Sequence, residues 1–218
     1  MTGTQFQQLS ADLRMLAKTI PLHWGYVQNN ENDRLINMFS CHTHQSLEDA
    51  IRDLPDDIKA YFRRRWYLWQ CAQCDEHLFC ENDGVTHNPN PRDQSYDIDI
   101  FGRYKFDIKG TVVPRDMRGD ITSLLKDPTP MVRFFYDKQS RGVRYNNQNR
   151  LFVVHHSFVS QEREFFLRCA WETKRKAYAE FVRAIDSLRF IQYANCDATV
   201  IFILEAERGK AQYSIDGK

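Results

Sequence analysis

The sequence predicts an α/β fold (α+β) organised as one domain. The chain has 218 residues, of which 42% are apolar, so it is long enough to bury one substantial core and too short for two large domains. Helical periodicity over Asp56 to Cys80 precedes a stretch of period two over Tyr96 to Val113, and a strand-like run follows at residues 150–155. We therefore expect residues 1–218 to form a single domain, with residues 1–55 as a helical N-terminal extension.

The first third of the chain is expected to be helical. Two short helical patterns run from about Ser10 to Lys18 and from about Ser46 to Asp53, and each begins at a serine that can cap a helix. In the longer helix, residues at three- or four-residue steps lie along one stripe: Ile58, Phe62, Trp66, Trp69, Gln73, Glu76 and Cys80. This stripe predicts that Glu76 faces inward, on the same side as the two tryptophans.

The remaining elements alternate between strands and helices. Residues Gly84 to Gln94 contain two prolines and two asparagines, which is typical of a loop. Further along, apolar residues from Phe165 to Ile185 are spaced as in a long amphipathic helix, and the strongly apolar run Thr199 to Leu204 predicts a buried strand. The expected order is helix, hairpin, strand, helix, strand.

Composition and charge exclude few classes of partner. The 30 Lys and Arg residues against 29 Asp and Glu residues give a formal net charge of +1, so any preference for nucleic acid must come from local patches. The N-terminus lacks the apolar stretch of a signal peptide, and no run of about 18 apolar residues could span a bilayer. We expect a cytoplasmic protein without a membrane partner, whose six cysteines are reduced.

The period-two stretch predicts a β-hairpin with a defined register. Its even-numbered positions are mostly apolar, and its odd-numbered positions carry Asp97, Asp99, Lys105, Asp107, Lys109 and Thr111. A two-residue turn would place the apolar residues of the two strands on opposite faces. A three-residue turn, Phe101 to Arg103, pairs Ile100 with Tyr104 and keeps the apolar residues on one face. We therefore predict the three-residue turn.

This register brings two carboxylates together. It sets Asp99 opposite Lys105, as an ordinary ion pair, and it sets Asp97 opposite Asp107, with Cβ atoms about 5 Å apart. Directly opposed like charges destabilise a sheet unless one carboxyl is protonated or a cation lies between them. Carboxylate oxygens suit Mg²⁺ or Mn²⁺. The register therefore predicts a divalent-metal site between Asp97 and Asp107.

Lys109 follows two residues after Asp107 and lies on the same face of the hairpin. Its ammonium can position a water molecule there and stabilise negative charge on a phosphate, which together with a metal ion suggests phosphodiester hydrolysis. The alternative interpretation is a solvated hairpin face on which Asp107 pairs with Lys109 or Lys105. Glu76, an acid upstream that is predicted to face inward, favours the site.

The spacing of these residues resembles a known motif. Asp97, nine intervening residues and then Asp107-Ile108-Lys109 resemble the signature of the PD-(D/E)XK nuclease superfamily, and the similarity covers about residues 56–157. The resemblance implies a restriction-endonuclease-like fold with a central mixed β-sheet flanked by helices. Tyr96 stands where many members of the family have proline.

The resemblance also implies roles for the site residues. Asp97, Asp107 and the Ile108 carbonyl would ligate Mg²⁺ or Mn²⁺, and Lys109 would be the catalytic lysine. Glu76 would be the helical acid that assists the same metal site. The implied activity is that of a Mg²⁺-dependent nuclease, such as a restriction-type endonuclease, with DNA favoured over RNA as the substrate. Cleavage of both strands would imply a homodimer.

Basic segments would then hold the nucleic-acid backbone. The strongest candidate spans residues 139–150, where arginines alternate with amides and a tyrosine next to a predicted strand. Its candidate binding residues are Gln139, Arg141, Arg144, Tyr145 and Arg150. Two other basic segments, residues 63–65 and 174–176, are further candidates.

Two alternative functions stay open at this point. Soft ligands for structural zinc are present in Cys71, Cys74, His77 and Cys80, and separately in residues 41–44. They would indicate a zinc-stabilised binding module. The second alternative is a nuclease fold that has lost catalysis and binds nucleic acid or protein. The intact pair of acids and the lysine favour the enzyme.

Overall fold

The computed structural model describes residues 1–19, 30–90, 93, 95–138 and 148–215. The chain divides into two compact units, Met1–Cys74 and Asp75–Lys218. The division falls inside one long helix, near its C-terminal end. Among the described residues, no helix combines the length and the apolar character needed to cross a membrane.

Helices fill the first unit, and helices and strands alternate in the second. The helices are α1 (Gly3–Thr19), α2 (Asn30–Asp33), α3 (His44–Ile51), α4 (Asp56–Cys80), α5 (Ile121–Lys126), α6 (Thr129–Lys138), α7 (Arg163–Leu167) and α8 (Trp171–Ala184). The strands are β1 (Val85–His87), β2 (Ile98–Ile100), β3 (Tyr104–Val112), β4 (Arg150–Ser157), β5 (Ile191–Tyr193), β6 (Cys196–Glu207) and β7 (Lys210–Ile215).

Threonines, rather than the predicted serines, begin two of the helices. The Thr2 hydroxyl accepts a hydrogen bond from the Gln5 N–H (3.3 Å) ahead of α1. Thr43 caps α3 by accepting a hydrogen bond from the Ser46 N–H (3.1 Å). Ser10 lies inside α1 and Ser46 in the first turn of α3, so both predicted caps are wrong. A threonine upstream satisfies the exposed N–H groups as a serine would, so each helix begins earlier in the chain than predicted.

Helix α4 forms over the predicted range, but its buried stripe differs from the predicted one. Phe62 and Trp66 are buried, as predicted. Beyond Trp66 the buried positions are Tyr67, Gln70, Cys71, Cys74, Asp75, Leu78 and Phe79, whereas Trp69, Gln73, Glu76 and Cys80 are only partly buried. Steps of three and of four residues both follow a helical face, so the sequence permits two neighbouring stripes. The most deeply buried acid of α4 is therefore Asp75.

The first unit has its own small core. Leu13 of α1 and Leu47 of α3 are fully buried. Trp66 donates a hydrogen bond through Nε1 to the carbonyl of Cys41 (2.6 Å). Arg63 forms two hydrogen bonds with Glu48 of α3 (2.7 and 2.6 Å), so this arginine is engaged within the unit.

The second unit is built on a mixed β-sheet, which confirms the predicted fold class. The strand order is β1-β2-β3-β4-β6-β5, and β7 also pairs with β6. Strands β3, β4 and β6 run parallel, while β1, β2, β5 and β7 pair antiparallel with their neighbours. Helix α7 contacts β4, and α8 contacts β7. Every residue of β4 is buried, as expected for a central strand.

Helices α5 and α6 pack on one face of this sheet, although the sequence did not indicate them. The cluster that they form with the sheet consists of Val113, Ile121, Leu124, Met131, Val132, Phe135, Tyr136, Phe152, Val154, Ile191, Ala198, Val200, Phe202 and Leu204. On β4 and β6 these are the even-numbered residues, which alternate with residues directed to the other face.

The predicted helix from Phe165 to Ile185 is two helices. Between them, the N–H groups of residues 168–170 donate hydrogen bonds to carbonyls three residues earlier. Such tight bonds end an α-helix. A new helix then begins at Trp171, where the Lys174 N–H donates to the Ala170 carbonyl (2.9 Å).

Candidate metal centre

The β2–β3 hairpin has the predicted register. Ile100 pairs with Tyr104, and Asp99 pairs with Lys105, whose Nζ lies 3.9 Å from the Asp99 carboxylate. Three residues form the turn, and two of them, Phe101 (φ 58°) and Gly102 (φ 70°), are left-handed. The register keeps the buried residues Ile98, Ile100, Phe106 and Ile108 on the interior side.

Asp97 lies directly before β2 and continues the hydrogen bonding to β3 beyond the last pair of that strand. The last ladder pair joins Ile98 and Phe106. Beyond it, the Asp97 N–H donates to the Phe106 carbonyl (2.8 Å), and Asp97 Oδ2 accepts a hydrogen bond from the Ile108 N–H (2.7 Å). Burial, and then repulsion by the Asp107 carboxylate, raise the pKa of Asp97 to about 6. The Asp107 carboxylate is therefore close enough to Asp97 to affect the ionisation of Asp97.

Asp107 lies in the centre of the site and is buried, at 4% exposure. Its Oδ1 accepts a hydrogen bond from Lys109 Nζ. Its Oδ2 lies 3.4 Å from Arg150 Nε, and in the described part of the chain this oxygen accepts no hydrogen bond. The parallel pairing of β3 with β4 places Asp107 directly beside Arg150. A buried carboxylate oxygen with spare acceptor capacity is a position that a cation can use.

Arg150 is held in place by its surroundings on β4. Its guanidinium carbon lies 4.9 Å from the centre of the Tyr136 ring. The Tyr136 hydroxyl donates a hydrogen bond to the Gln148 carbonyl (2.7 Å), which fixes the ring. Because Arg150 is 2% exposed, it faces Asp107 and Tyr136 rather than solvent.

Glu76 of α4 lies close enough to the site for the charges of Asp97, Asp107 and Lys109 to act on its carboxyl. Burial is the main cause that raises its pKa to about 8, followed by the charges of Asp97 and Asp75, while Lys109 opposes the shift. Its Oε2 lies 3.7 Å from His87 Nδ1 of β1. At neutral pH, Glu76 therefore holds a proton in the absence of a bound cation.

The residues present fit a divalent cation with few protein ligands. Among the described residues, no group of three or more His, Cys, Asp or Glu side chains has the arrangement of a metal site, so Glu76 does not converge with the two aspartates as a third ligand. The remaining donors are Asp97, Asp107 and the Ile108 carbonyl. Mg²⁺ is commonly held by one or two carboxylates and keeps several waters. The unsatisfied Oδ2 of Asp107 agrees with such a site.

Most of the predicted nucleic-acid contacts are not located by this structure. Gln139, Arg141, Arg144 and Tyr145 lie outside the described residues, and Arg150 pairs with Asp107 as described above. In the other basic segments, Lys174 is fully buried and donates a hydrogen bond to Asp75 (2.8 Å).

The cysteines are free thiols. Cys71 and Cys74 are buried within the continuous helix α4. The absence of a three-ligand cluster among the described residues applies to them and to His77 as well. The zinc-stabilised module therefore gains no support from the geometry.

Sequence reasoning missed two partners of the site, Arg150 as the neighbour of Asp107 and His87 as the neighbour of Glu76. The first required the parallel pairing of β3 with β4, and the second required a strand inside a proline-rich predicted loop. Comparisons with protein-family models, with curated proteins and with solved structures yield no match to this chain. The resemblance to the PD-(D/E)XK superfamily therefore rests on the motif residues and their placement.

Proposed function

We propose that this protein is a metal-dependent nuclease that hydrolyses phosphodiester bonds, with Asp97, Asp107 and Lys109 as its central residues. One observation carries the proposal: two mutually repelling carboxyls lie beside a lysine at the β2–β3 hairpin, and a buried oxygen of one of them accepts no hydrogen bond from a described residue. Crowded acids with shifted pKa values are typical of functional sites.

Each residue has a role that follows from its position. Asp97 and Asp107, with the Ile108 carbonyl, would hold Mg²⁺ or Mn²⁺. When bound there, the ion supplies positive charge that polarises a phosphodiester and makes a nearby water more acidic. Lys109 is 32% exposed along its side chain, so its ammonium can leave Asp107 and donate to a phosphate oxygen. Arg150 stays beside Asp107 and fixes the direction of its carboxylate when Lys109 moves.

The proposed substrate is DNA, and RNA is the alternative that the same chemistry allows. Both contain the phosphodiester group that the metal ion and Lys109 would engage. Recognition of either backbone would depend on local positive charge, because the net charge of the chain is only +1.

The first test is cleavage of linear DNA, plasmid DNA and linear RNA with Mg²⁺ or Mn²⁺. We expect the wild type to cleave and Lys109→Ala to lose at least about 100-fold in rate, because a donor to the developing charge is removed. Lys105→Ala is the matched control, since Lys105 lies on the same strand with a 51% exposed side chain and pairs with Asp99. It should cleave at nearly the wild-type rate.

Two results would contradict the proposal. One is the absence of cleavage of every substrate with either metal ion, which would favour a binding protein with a nuclease-like hairpin. The other is an equal loss of activity in Lys105→Ala and Lys109→Ala, which would indicate a general effect of charge. Thermal unfolding of both variants shows whether each remains folded.

A further inference from the structure

Past the hairpin, β3 has an edge next to the proposed site with which no strand of the described residues pairs, and we call it the open edge of β3. β2 pairs with β3 only as far as Phe106, whereas β3 continues to Val112. The Asp107 N–H donates to the Asn149 carbonyl on the β4 side (3.0 Å). Because backbone groups alternate along a strand, Ile108 and the exposed Gly110 direct theirs to the open edge. The residue after Lys109 therefore offers backbone rather than side chain at this edge.

A guanidinium lies beside that glycine. A Cβ atom added to Gly110 would lie 3.0 Å from Arg168 Nη1. Its next neighbours would be Asp75 Oδ2 at 3.9 Å and His155 Cε1 at 4.0 Å. The missing side chain thus leaves room for Arg168 close to the strand that carries Lys109.

Arg168 has no anionic partner in the described part of the chain. Its side chain is only partly exposed, and it forms no ion pair within 4.0 Å and no hydrogen bond with a described residue. The nearby carboxylate, Asp75, already accepts hydrogen bonds on Oδ1 from Lys174 Nζ (2.8 Å) and from the Tyr178 hydroxyl (2.8 Å). One carboxylate therefore faces two cations, Lys174 and Arg168.

The buried histidine in this group does not change the charge balance. His155 Nδ1 donates to the Thr111 carbonyl (2.9 Å), because a carbonyl can only accept. Burial, with the charges of Lys174 and Arg168, lowers the pKa of His155 well below its ordinary value, so the ring is neutral. Its Nε2 is buried and has no hydrogen-bond partner among the described residues. One positive charge is left over, beside Gly110 on the face of β3 opposite to that of Lys109.

We propose that Arg168 binds a backbone phosphate of the nucleic-acid strand where that strand passes the exposed Gly110, on the other side of β3 from the phosphate at Lys109. This inference rests on the proposed nuclease function and adds a substrate-binding residue to it. A guanidinium matches the geometry of phosphate oxygens, and its lack of a counterion means that no ion pair must break when substrate arrives. Gly110 lets a sugar-phosphate backbone approach the strand closely.

The test measures binding and its salt dependence. Short fluorescein-labelled DNA and RNA strands are titrated with the protein between about 50 and 200 mM salt, with Ca²⁺ in place of Mg²⁺ to keep binding apart from cleavage. For Arg168→Gln we expect affinity to fall about 10- to 100-fold, as for the loss of one charge-assisted hydrogen bond. The salt slope should fall by about 0.7 to 0.9, as for the loss of one phosphate contact.

Three variants separate this contact from general effects. Arg208→Gln removes the same charge from an exposed position in the turn between β6 and β7 and should leave the slope unchanged. Arg168→Lys should keep the slope while losing part of the affinity. Gly110→Ala leaves Arg168 in the sequence but displaces its guanidinium, so it should weaken binding if Arg168→Gln does not fold.

A neutral linkage gives the sharpest result. Methylphosphonate linkages, which carry no charge, are placed at successive positions of the strand, one at a time. One of them should weaken binding by the wild type and have no further effect on binding by Arg168→Gln. Equal affinity and equal slope for wild type and Arg168→Gln would overturn the inference, even if the wild type cleaves and Lys109→Ala does not. Absence of cleavage by the wild type would overturn the proposed function instead, and the phosphate contact would then be judged on the binding data.

Discussion

Replacement of Glu76 by glutamine should change how the stability of the protein depends on pH. The folded protein raises the pKa of Glu76 from its ordinary 4.5 to about 8. Between these values the folded state keeps a proton that the unfolded state releases, so the free energy of unfolding falls as pH rises through this window. Above about pH 8, Glu76 is ionised in both the folded and the unfolded state, so it no longer makes the free energy of unfolding depend on pH.

The size of the effect follows from the same two values. At about 1.36 kcal/mol for each pH unit, the window from pH 5 to pH 8 corresponds to about 4 kcal/mol. Little of this is screened by solvent, because the Glu76 side chain is 18% exposed. Glu76→Gln carries no titrating group, so relative to wild type it should gain about 4 kcal/mol in unfolding free energy between pH 5 and pH 8.

Urea unfolding at a series of pH values, with EDTA present, measures this difference. Glu172→Gln is the control, since the Glu172 side chain is 81% exposed on α8. A constant difference between Glu76→Gln and wild type from pH 5 to pH 8 would refute the reasoning. With Mg²⁺ added, the wild type should lose less stability over the same range, because a bound cation favours the ionised carboxylates.

Two further predictions concern the stability of the hairpin and its support. Arg150→Met should lower the free energy of unfolding, measured in urea, by about 3 kcal/mol, because it removes one partner of the buried Asp107 carboxylate. The control Arg103→Met breaks the exposed ion pair with Asp186 and should lower the same free energy by less than about 1 kcal/mol. Equal losses in the two variants would contradict the argument. Gly102→Ala should lower the free energy of unfolding by about 1 kcal/mol in the same assay. The cost is one of backbone conformation, since the φ of Gly102 is +70° and no atom lies within 4 Å of the added Cβ. An unchanged urea midpoint would show that the turn relaxes without cost.

The hairpin was predictable because its register is set by local features. Period-two alternation fixes which residues share a face, and the glycine in a three-residue turn fixes which residues are paired. Ile100 and Tyr104 are only four residues apart in sequence, so no distant part of the chain has to be known. The placement of Asp97 near Asp107 then follows from the pairing.

The contacts that other elements make with the hairpin were not predictable from local sequence features. Arg150 meets Asp107 only because β3 and β4 run parallel, and the crossover between them includes two helices that the sequence did not indicate. The helix pattern was ambiguous for a different reason. Two stripes one residue apart both fit α4, and the choice between Asp75 and Glu76 as the more deeply buried acid depends on Lys174 and Tyr178 of α8.

The hydrogen bond from the Ile108 N–H to the Asp97 carboxylate has a consequence for self-association. An uncovered strand edge can recruit a strand from another molecule, which is a common route to aggregation. At Ile108 the amide that an incoming strand would need is already occupied, and the occupying group is charged. The acid proposed to hold a metal ion thus also protects the sheet, so selection for solubility and selection for activity act on the same side chain.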